Sequence, residues 1–162
     1  MGRKPKQPES RLLSASEGPA PYFIGPYAIR PHALAPHYNN PQTAATFFNQ
    51  IVNEVKSEHF NPNAEALNLI RETGYVSLWF FLNCVAAHSG PYEKLNDHLS
   101  LDMLNTRQSD EWEAPGALSA AFIPRNMYKS TVFDHGGITW DCLRNPNERA
   151  EIVNGIAEKA DE

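Results

Sequence analysis

The spacing of apolar and polar residues along the chain changes near residue 40. Before that point prolines dominate, and residues 1–41 contain eight of the 13 prolines in the chain. Proline lacks a backbone N–H and interrupts helices, so this part is predicted to be an extended arm. Its aromatic stretch, "PYFIGPYAIRPHAL", is expected to lie across another surface, either of this domain or of a partner.

Four segments after the arm have helical spacing. In the first, "NNPQTAATFFNQIVNEVKSEHF", Asn40 is placed to cap a helix and Pro41 to occupy its first position. The second, "NPNAEALNLIRETG", is expected to end at Gly74, and the third covers about 75–88. The fourth, "YEKLNDHLSLDMLNTR", has these apolar residues on or beside one face: Leu95, Leu99, Met103, Leu101 and Leu104.

The last third of the chain has short apolar runs on either side of one helix. "ALSAAFI" is predicted to be a buried strand, and "RAEIVNG" a second strand. Between them, "STVFDHGGITWDCLR" is predicted to be a helix that two glycines weaken and "NPNE" ends. A strand, a helix and a second strand in this order form a βαβ unit, which needs neighbouring strands to cover its faces. The sheet is therefore expected to be incomplete.

These elements predict an α/β fold in three parts. Residues 1–40 are the proline-rich arm, residues 41–110 a helical region, and residues 111–162 the start of a sheet domain. A hydrophobic content of 41% argues against wholesale disorder. The residues expected in the core are Trp79, Phe80, Leu82, Val85, Leu99, Phe122, Ile123, Trp140, Leu143, Ile152 and Val153.

Net charge and cysteine content limit the kinds of function that fit this sequence. A net charge of -5 gives no general attraction to nucleic acid, and the one dense basic segment, "MGRKPK", is typical of a soluble tail. Cys84 and Cys142 lie outside any CxxC motif, which predicts two buried thiols in a reduced, cytosolic chain. The histidines lack partners at zinc spacing. No secretory signal is visible, and the longest apolar run, residues 76–87, is too short to cross a bilayer.

The stretch "AAFIPRNMYKSTVFDHGG", residues 120–137, carries the candidate chemistry. A P-loop, G-x-x-x-x-G-K-[ST], surrounds phosphate with backbone N–H groups at a helix N-terminus, and its Lys and hydroxyl residue bind phosphate and magnesium. Lys129 and Ser130 match that pattern, but Ile123 and Tyr128 occupy the two glycine positions. Because glycine is the residue that tolerates a positive φ, Tyr128 must adopt an allowed φ or accept strain.

A purely structural interpretation of the same residues stays open. The tripeptide Lys-Ser-Thr occurs by chance in many proteins. Arg125 could pair with Asp134 or Glu151, and Lys129 could be a solvated surface charge. The sequence pattern alone does not separate these two interpretations.

The segment "FIPRNMYKST" resembles the deviant Walker A motif of phage large terminase subunits, the ATPase motors that pump DNA into empty capsids. That family often has P-R-small-x-x-K-[ST]-T here, and Pro124, Arg125, Lys129, Ser130 and Thr131 match it. The segments "WFFLNCVA", "PYEKLNDHL" and "WDCLRNPNERAEIVNG" are also similar to terminase sequences. The resemblance spans roughly residues 20–157.

The resemblance implies that the βαβ unit begins a P-loop NTPase sheet of the ASCE type, with ATP and Mg²⁺ as ligands. It implies that Lys129 binds the β- and γ-phosphates, that Ser130 holds the metal, that Arg125 acts on the γ-phosphate side, and that Thr131 supports the α-phosphate side. A small terminase subunit, a portal protein and double-stranded DNA would be the partners, with a homo-oligomer in the full-length motor, in the cytoplasm of the host bacterium. The loop would comprise Arg125, Asn126, Met127, Tyr128, Lys129, Ser130 and Thr131.

Two parts of a large terminase are missing from the sequence. The Asp161–Glu162 pair does not follow an apolar strand, so a Walker B acid is absent, and so is a C-terminal nuclease domain. Without that acid, magnesium lacks a second anchor and no carboxylate orients water. The chain is therefore expected to be the N-terminal portion of a large terminase, inefficient in ATP turnover by itself, and no catalytic residue is assigned.

Two other functions remain open. The first is a non-enzymatic helical interaction module that docks onto a terminase, portal or host protein, with residues 19–40 as its contact segment. The second, which ranks lower, is an unrelated P-loop kinase or transferase, since those families usually keep the loop glycines.

Overall fold

The computed structural model describes residues 20–57, 59–86, 95–109, 112, 122–123, 128 and 130–147. A β-hairpin is the first element within these residues. Strands β1 (Tyr22–Ile24) and β2 (Tyr27–Ile29) pair antiparallel, with Tyr22 opposite Ile29. The turn between them has Gly25 at a φ of 58°, the left-handed conformation that two-residue hairpin turns require.

Helices follow the hairpin, and short polar residues cap most of them. The Asn40 side chain accepts a hydrogen bond from the Gln42 N–H, which confirms the predicted start of the first helix. The elements are a 3₁₀ turn (Pro36–Tyr38), α1 (Pro41–Val55), α2 (Ala64–Val76), α3 (α-helical over Leu78–Phe80 and π-helical over Phe81–Val85), α4 (His98–Arg107) and α5 (π-helical over Ser130–Gly136, then α-helical over Gly137–Arg144).

The boundary between α2 and α3 differs from the sequence prediction. Gly74 was expected to end the second helix, but it lies inside α2, which continues to Val76. The break falls at Ser77, whose backbone is extended, with φ -134° and ψ 110°. Its hydroxyl accepts a hydrogen bond from the Phe80 N–H at 3.3 Å and so caps α3. Helix α2 therefore ends at Ser77, which also caps α3, and the prediction that Gly74 ends α2 was wrong.

Helix α4 is shorter than predicted, and its buried face differs from the predicted apolar face. It begins after Asp97, whose carboxylate accepts a hydrogen bond from the Ser100 N–H at 2.9 Å. Leu99 was expected to be buried but is 38% exposed, since it lies in the first turn. The inward face consists of Ser100, Met103, Leu104 and Arg107.

The hairpin and the helices share one hydrophobic core. Ile29 and Tyr38 are fully buried, so the aromatic part of the proline-rich arm lies on this domain itself. Among the predicted core residues, the structure buries Trp79, Phe80, Leu82 and Trp140. Ile123 is half-buried, and Ile152 and Val153 lie outside the described residues. The predictions were wrong for four exposed residues: Val85, Leu99, Phe122 and Leu143.

Val85 is the last residue of α3, and the other exposed residues also lie where an element ends or is absent. Leu99 and Leu143 lie in the first and last turns of their helices, and Phe122, which is 97% exposed, belongs to no strand. Periodicity marks the apolar face of an element but does not indicate where its covering neighbours end.

The described chain is mixed α/β and mostly helical, and its strands form the one antiparallel hairpin. The predicted strand over residues 117–123 falls largely outside the described residues, and its two described members, Phe122 and Ile123, are not in a strand. The second predicted strand, residues 149–155, lies wholly outside them. The predicted helix between these two strands is present as α5 and ends at Arg144, as "NPNE" indicated.

Two side-chain amides at the end of α4 hold the outer edge of β2. Asn105 accepts a hydrogen bond from the Ala28 N–H at 3.0 Å and donates one to the Pro26 carbonyl at 2.9 Å. Gln108, which is 2% exposed, donates to the Ala28 carbonyl at 2.9 Å and accepts from the Leu78 N–H. Both backbone groups of Ala28 are thus paired as a neighbouring strand would pair them.

Candidate functional site

The junction that leads into α5 has an unusual backbone. Tyr128 has a φ of 54°, and within the described ranges it is the one non-glycine residue in the left-handed region. Its carbonyl accepts a hydrogen bond from the Val132 N–H at 3.0 Å, which ties Tyr128 to the first turn of α5. Tyr128 occupies the position at which a P-loop has its second glycine, and it adopts a positive φ, as that glycine can.

A left-handed backbone is costly for tyrosine and needs support. The conformation costs about 1–2 kcal/mol for a residue with a Cβ. The Tyr128 side chain is half-buried and packs against the hydrophobic core, which provides part of the compensation. Strain of this kind persists where surrounding structure imposes it, and it is frequent at binding sites.

Helix α5 is held firmly behind this junction. The Trp140 indole N–H donates a hydrogen bond to the Gly74 carbonyl at 2.7 Å in the core, and Arg107 pairs with Asp141. Gly136 lies so close to Leu82 that a Cβ would stand 2.7 Å from its Cδ2 atom. The start of α5 therefore has a defined position relative to α2, α3 and α4.

The structure describes three of the seven predicted loop residues. Ser130 is exposed at the first position of α5, Thr131 is half-buried beside it, and Tyr128 precedes them. The backbone N–H groups of a first helical turn favour an anion, although the Val132 N–H of this turn is already bonded to the Tyr128 carbonyl. Arg125, Asn126, Met127 and Lys129 lie outside the described residues.

A second candidate region, which the sequence reasoning missed, is a cleft of about 380 Å³ between α1 and α2. His37 forms one wall and donates its backbone N–H to Glu72 Oε2, while its Nδ1 atom lies 2.8 Å from the same oxygen. Its ring packs edge-on against Phe47, with 4.6 Å between ring centroids. A signal existed in the sequence, because Glu72 is a charged residue on the side of α2 that carries Leu69 and Val76.

One wall of this cleft is buried and hydrogen-bonded. Glu72 is only 7% exposed, and its carboxylate is satisfied by His37. Burial raises the pKa of the Tyr38 hydroxyl above its ordinary value; the hydrogen bond to Thr73 opposes the shift, and the nearby Glu72 carboxylate adds to it. This side of the cleft is therefore a fixed wall of the domain.

The two cysteines have different surroundings. Cys84 is buried as expected, and burial raises the pKa of its thiol to about 11. Cys142 was predicted to be buried but is exposed on α5, so that prediction was wrong. Within the described ranges, His, Cys, Asp and Glu side chains do not gather in threes at distances that would hold a metal ion.

Comparison with known proteins identifies no relative: no family model matches the chain, and no curated protein or solved structure is significantly similar to it. In the part of the chain that the structure describes, no helix has the length and apolar character needed to span a membrane.

Proposed function

We propose that residues 125–131 bind the phosphates of ATP and that the chain is the N-terminal portion of a viral large terminase. The observation that carries this proposal is the φ of 54° at Tyr128. It supports a loop that turns into α5 as a P-loop does, although the glycine is missing. The exposed hydroxyl of Ser130 at the first position of α5 fits the same geometry.

The proposal gives four of the seven loop residues separate roles. Lys129 neutralises the β- and γ-phosphates, and Arg125 acts on the γ-phosphate side. Thr131 supports the α-phosphate side, and Ser130 provides a ligand to Mg²⁺, which supplies further charge neutralisation when bound. A small terminase subunit, a portal protein and double-stranded DNA would be its partners in packaging.

The decisive experiment measures equilibrium binding of a non-hydrolysable ATP analogue in the presence of Mg²⁺. Lys129→Ala should abolish binding, because the charge that neutralises the phosphates is lost. Arg71→Ala is the matched control, since it removes an exposed cation from α2, away from the loop, and should leave affinity unchanged. Equal binding by the wild type and Lys129→Ala would rule out this phosphate site.

Substitutions at Tyr128 test the loop geometry itself. Tyr128→Gly should keep or improve affinity, because glycine adopts a positive φ without strain. Tyr128→Val should weaken binding, because a β-branched residue resists that conformation. Thermal unfolding of both variants is the control for loss of the half-buried ring. Tighter binding by Tyr128→Val than by Tyr128→Gly would contradict the proposed loop path.

The second candidate function is a non-enzymatic helical interaction module that docks onto a terminase, portal or host protein. It is favoured by the architecture of the described residues, in which a hairpin and helices form a shared core without a parallel sheet. Deletion of residues 1–40 cannot test it, because Ile29 and Tyr38 are core residues. Substitutions of exposed residues in the predicted contact segment are informative instead: Phe23→Ala and Leu34→Ala should weaken partner binding. Under this function, partner binding survives Lys129→Ala.

A further inference from the structure

The cleft between α1 and α2 has the dimensions and lining of a binding site. Its volume of about 380 Å³ lies within the range of small-ligand pockets. Phe47, Ala66 and Leu69 contribute apolar surface, while polar and charged side chains make up the remainder. A cleft of this kind can hold the stem of a long side chain on its apolar part and the polar head at its rim.

The charges around the cleft favour a cation. Three carboxylates line it, those of Glu54, Glu65 and Glu72, against one guanidinium, that of Arg71. His37 already satisfies Glu72, so Glu54 and Glu65 are the acids placed to receive a ligand. Glu54 is steadied by the Gln50 side chain, which donates a hydrogen bond to it at 3.0 Å. An ammonium or guanidinium group therefore matches this cleft better than an anion.

We propose that the cleft between α1 and α2 binds the basic segment of this same chain, residues 1–6, through its Arg and Lys side chains. That segment, "MGRKPK", contains Arg3, Lys4 and Lys6 and no acidic residue. It is the densest positive charge in a chain whose net charge is -5. The proposal does not depend on nucleotide binding at residues 125–131.

The segment between residues 1–6 and β1 is long enough to reach the cleft, and β1 begins near the cleft. The Tyr22 hydroxyl donates a hydrogen bond to the Tyr38 carbonyl at 2.7 Å, so the start of β1 lies beside the turn that carries His37. His37 forms a wall of the cleft. The fourteen residues 7–20 could extend over about 45 Å, more than the width of a domain of this size. The tether also keeps the basic segment at an effective concentration near the millimolar range.

The test uses paramagnetic relaxation in the full chain. A nitroxide is attached at Gly2→Cys in a Cys142→Ser background, and the thiol of Cys84 stays unlabelled because it is buried, with 6% of the residue exposed. Amide signals of the residues around Gln50 and Asn63 should broaden more strongly than those around exposed Asp102 on α4. The broadening should fall several-fold as salt rises from about 0.05 M to about 0.5 M, because the Debye length shortens.

Matched charge variants decide whether the cleft is responsible. Glu54→Gln with Glu65→Gln should remove the localised broadening. Asp102→Asn with Asp134→Asn makes the same change in net charge at exposed positions outside the cleft and should leave the broadening intact. Uniform broadening, or a pattern that survives the cleft variant, would overturn the proposal.

A mixing experiment separates the chain's own segment from that of a second copy. Spin-labelled protein without ¹⁵N is mixed with ¹⁵N-labelled protein without a spin label. The proposal expects no broadening in the mixture, because the tethered segment outcompetes one supplied in solution. Broadening of equal strength in the mixture would show that a second molecule provides the basic segment and would overturn the assignment.

Discussion

Gln108 should be one of the most sensitive positions in the domain. Its side chain is 2% exposed, donates to the Ala28 carbonyl and accepts from the Leu78 N–H. Gln108→Ala removes both partners at once and leaves two buried backbone groups without hydrogen bonds. Each unpaired group costs about 1–3 kcal/mol, and truncation of the Gln108 side chain also removes packing contacts. The free energy of unfolding should fall by about 3–4 kcal/mol.

Chemical denaturation measures this loss directly, with Gln42→Ala as the control. Gln42 is exposed on α1, and its truncation should change stability by less than about 0.5 kcal/mol. For a chain of this length the Gln108→Ala loss corresponds to a fall in melting temperature of roughly 10 °C. Hydrogen exchange adds a local readout, because the Leu78 amide should lose protection in the variant.

Gln108→Glu separates the role of the amide donor from that of side-chain size. At neutral pH the carboxylate directs negative charge at the Ala28 carbonyl, and burial together with that repulsion raises the folded-state pKa of the new acid. A raised folded-state pKa gives stability that is present below the unfolded value of about 4.3 and is lost as pH rises through the folded value.

The Glu variant should therefore approach the wild type in stability as pH falls from about 7 to about 5. A protonated acid can donate a hydrogen bond to the Ala28 carbonyl, as the amide of Gln108 does. A loss of less than about 1 kcal/mol in Gln108→Ala, or a Glu variant with no recovery at low pH, would refute this reasoning.

Three further changes have defined outcomes. Gly136→Ala should destabilise the fold by about 1–3 kcal/mol, because the new Cβ overlaps the Thr131 carbonyl oxygen and the Leu82 side chain. An unchanged denaturation midpoint would contradict this prediction. Burial and then the charge of Arg144 lower the pKa of His32, so the stability of the fold should decrease as pH drops below about 6.5. His32→Phe should flatten this pH dependence of the melting temperature. A variant with the same pH profile as the wild type would contradict the prediction. Asn63→Ala removes the cap of α2 and should cost about 1 kcal/mol in urea unfolding, whereas the exposed Asn68→Ala should cost far less.

The candidate phosphate site has some features that the local sequence predicts and others that depend on tertiary packing. The tripeptide Lys129-Ser130-Thr131 and the helix after it are visible in the sequence. The left-handed backbone of Tyr128 is not, because local preference opposes it and packing against the core helps to hold it. The position of α5 likewise rests on a contact between Trp140 and Gly74 across 66 residues.

Local chemistry set the helix starts and the hairpin turn of this protein, because those features depend on neighbouring residues. Asn40 accepts a hydrogen bond from the Gln42 N–H, two residues along the chain, and so caps α1. Gly25 adopts the positive φ that the hairpin turn requires. The pairing of Gln108 with Ala28, 80 residues away, came from the fold alone, and so did the contact between His37 and Glu72, 35 residues apart. No periodicity encodes such pairs, since burial of a polar group shows that it needs a partner without identifying that partner.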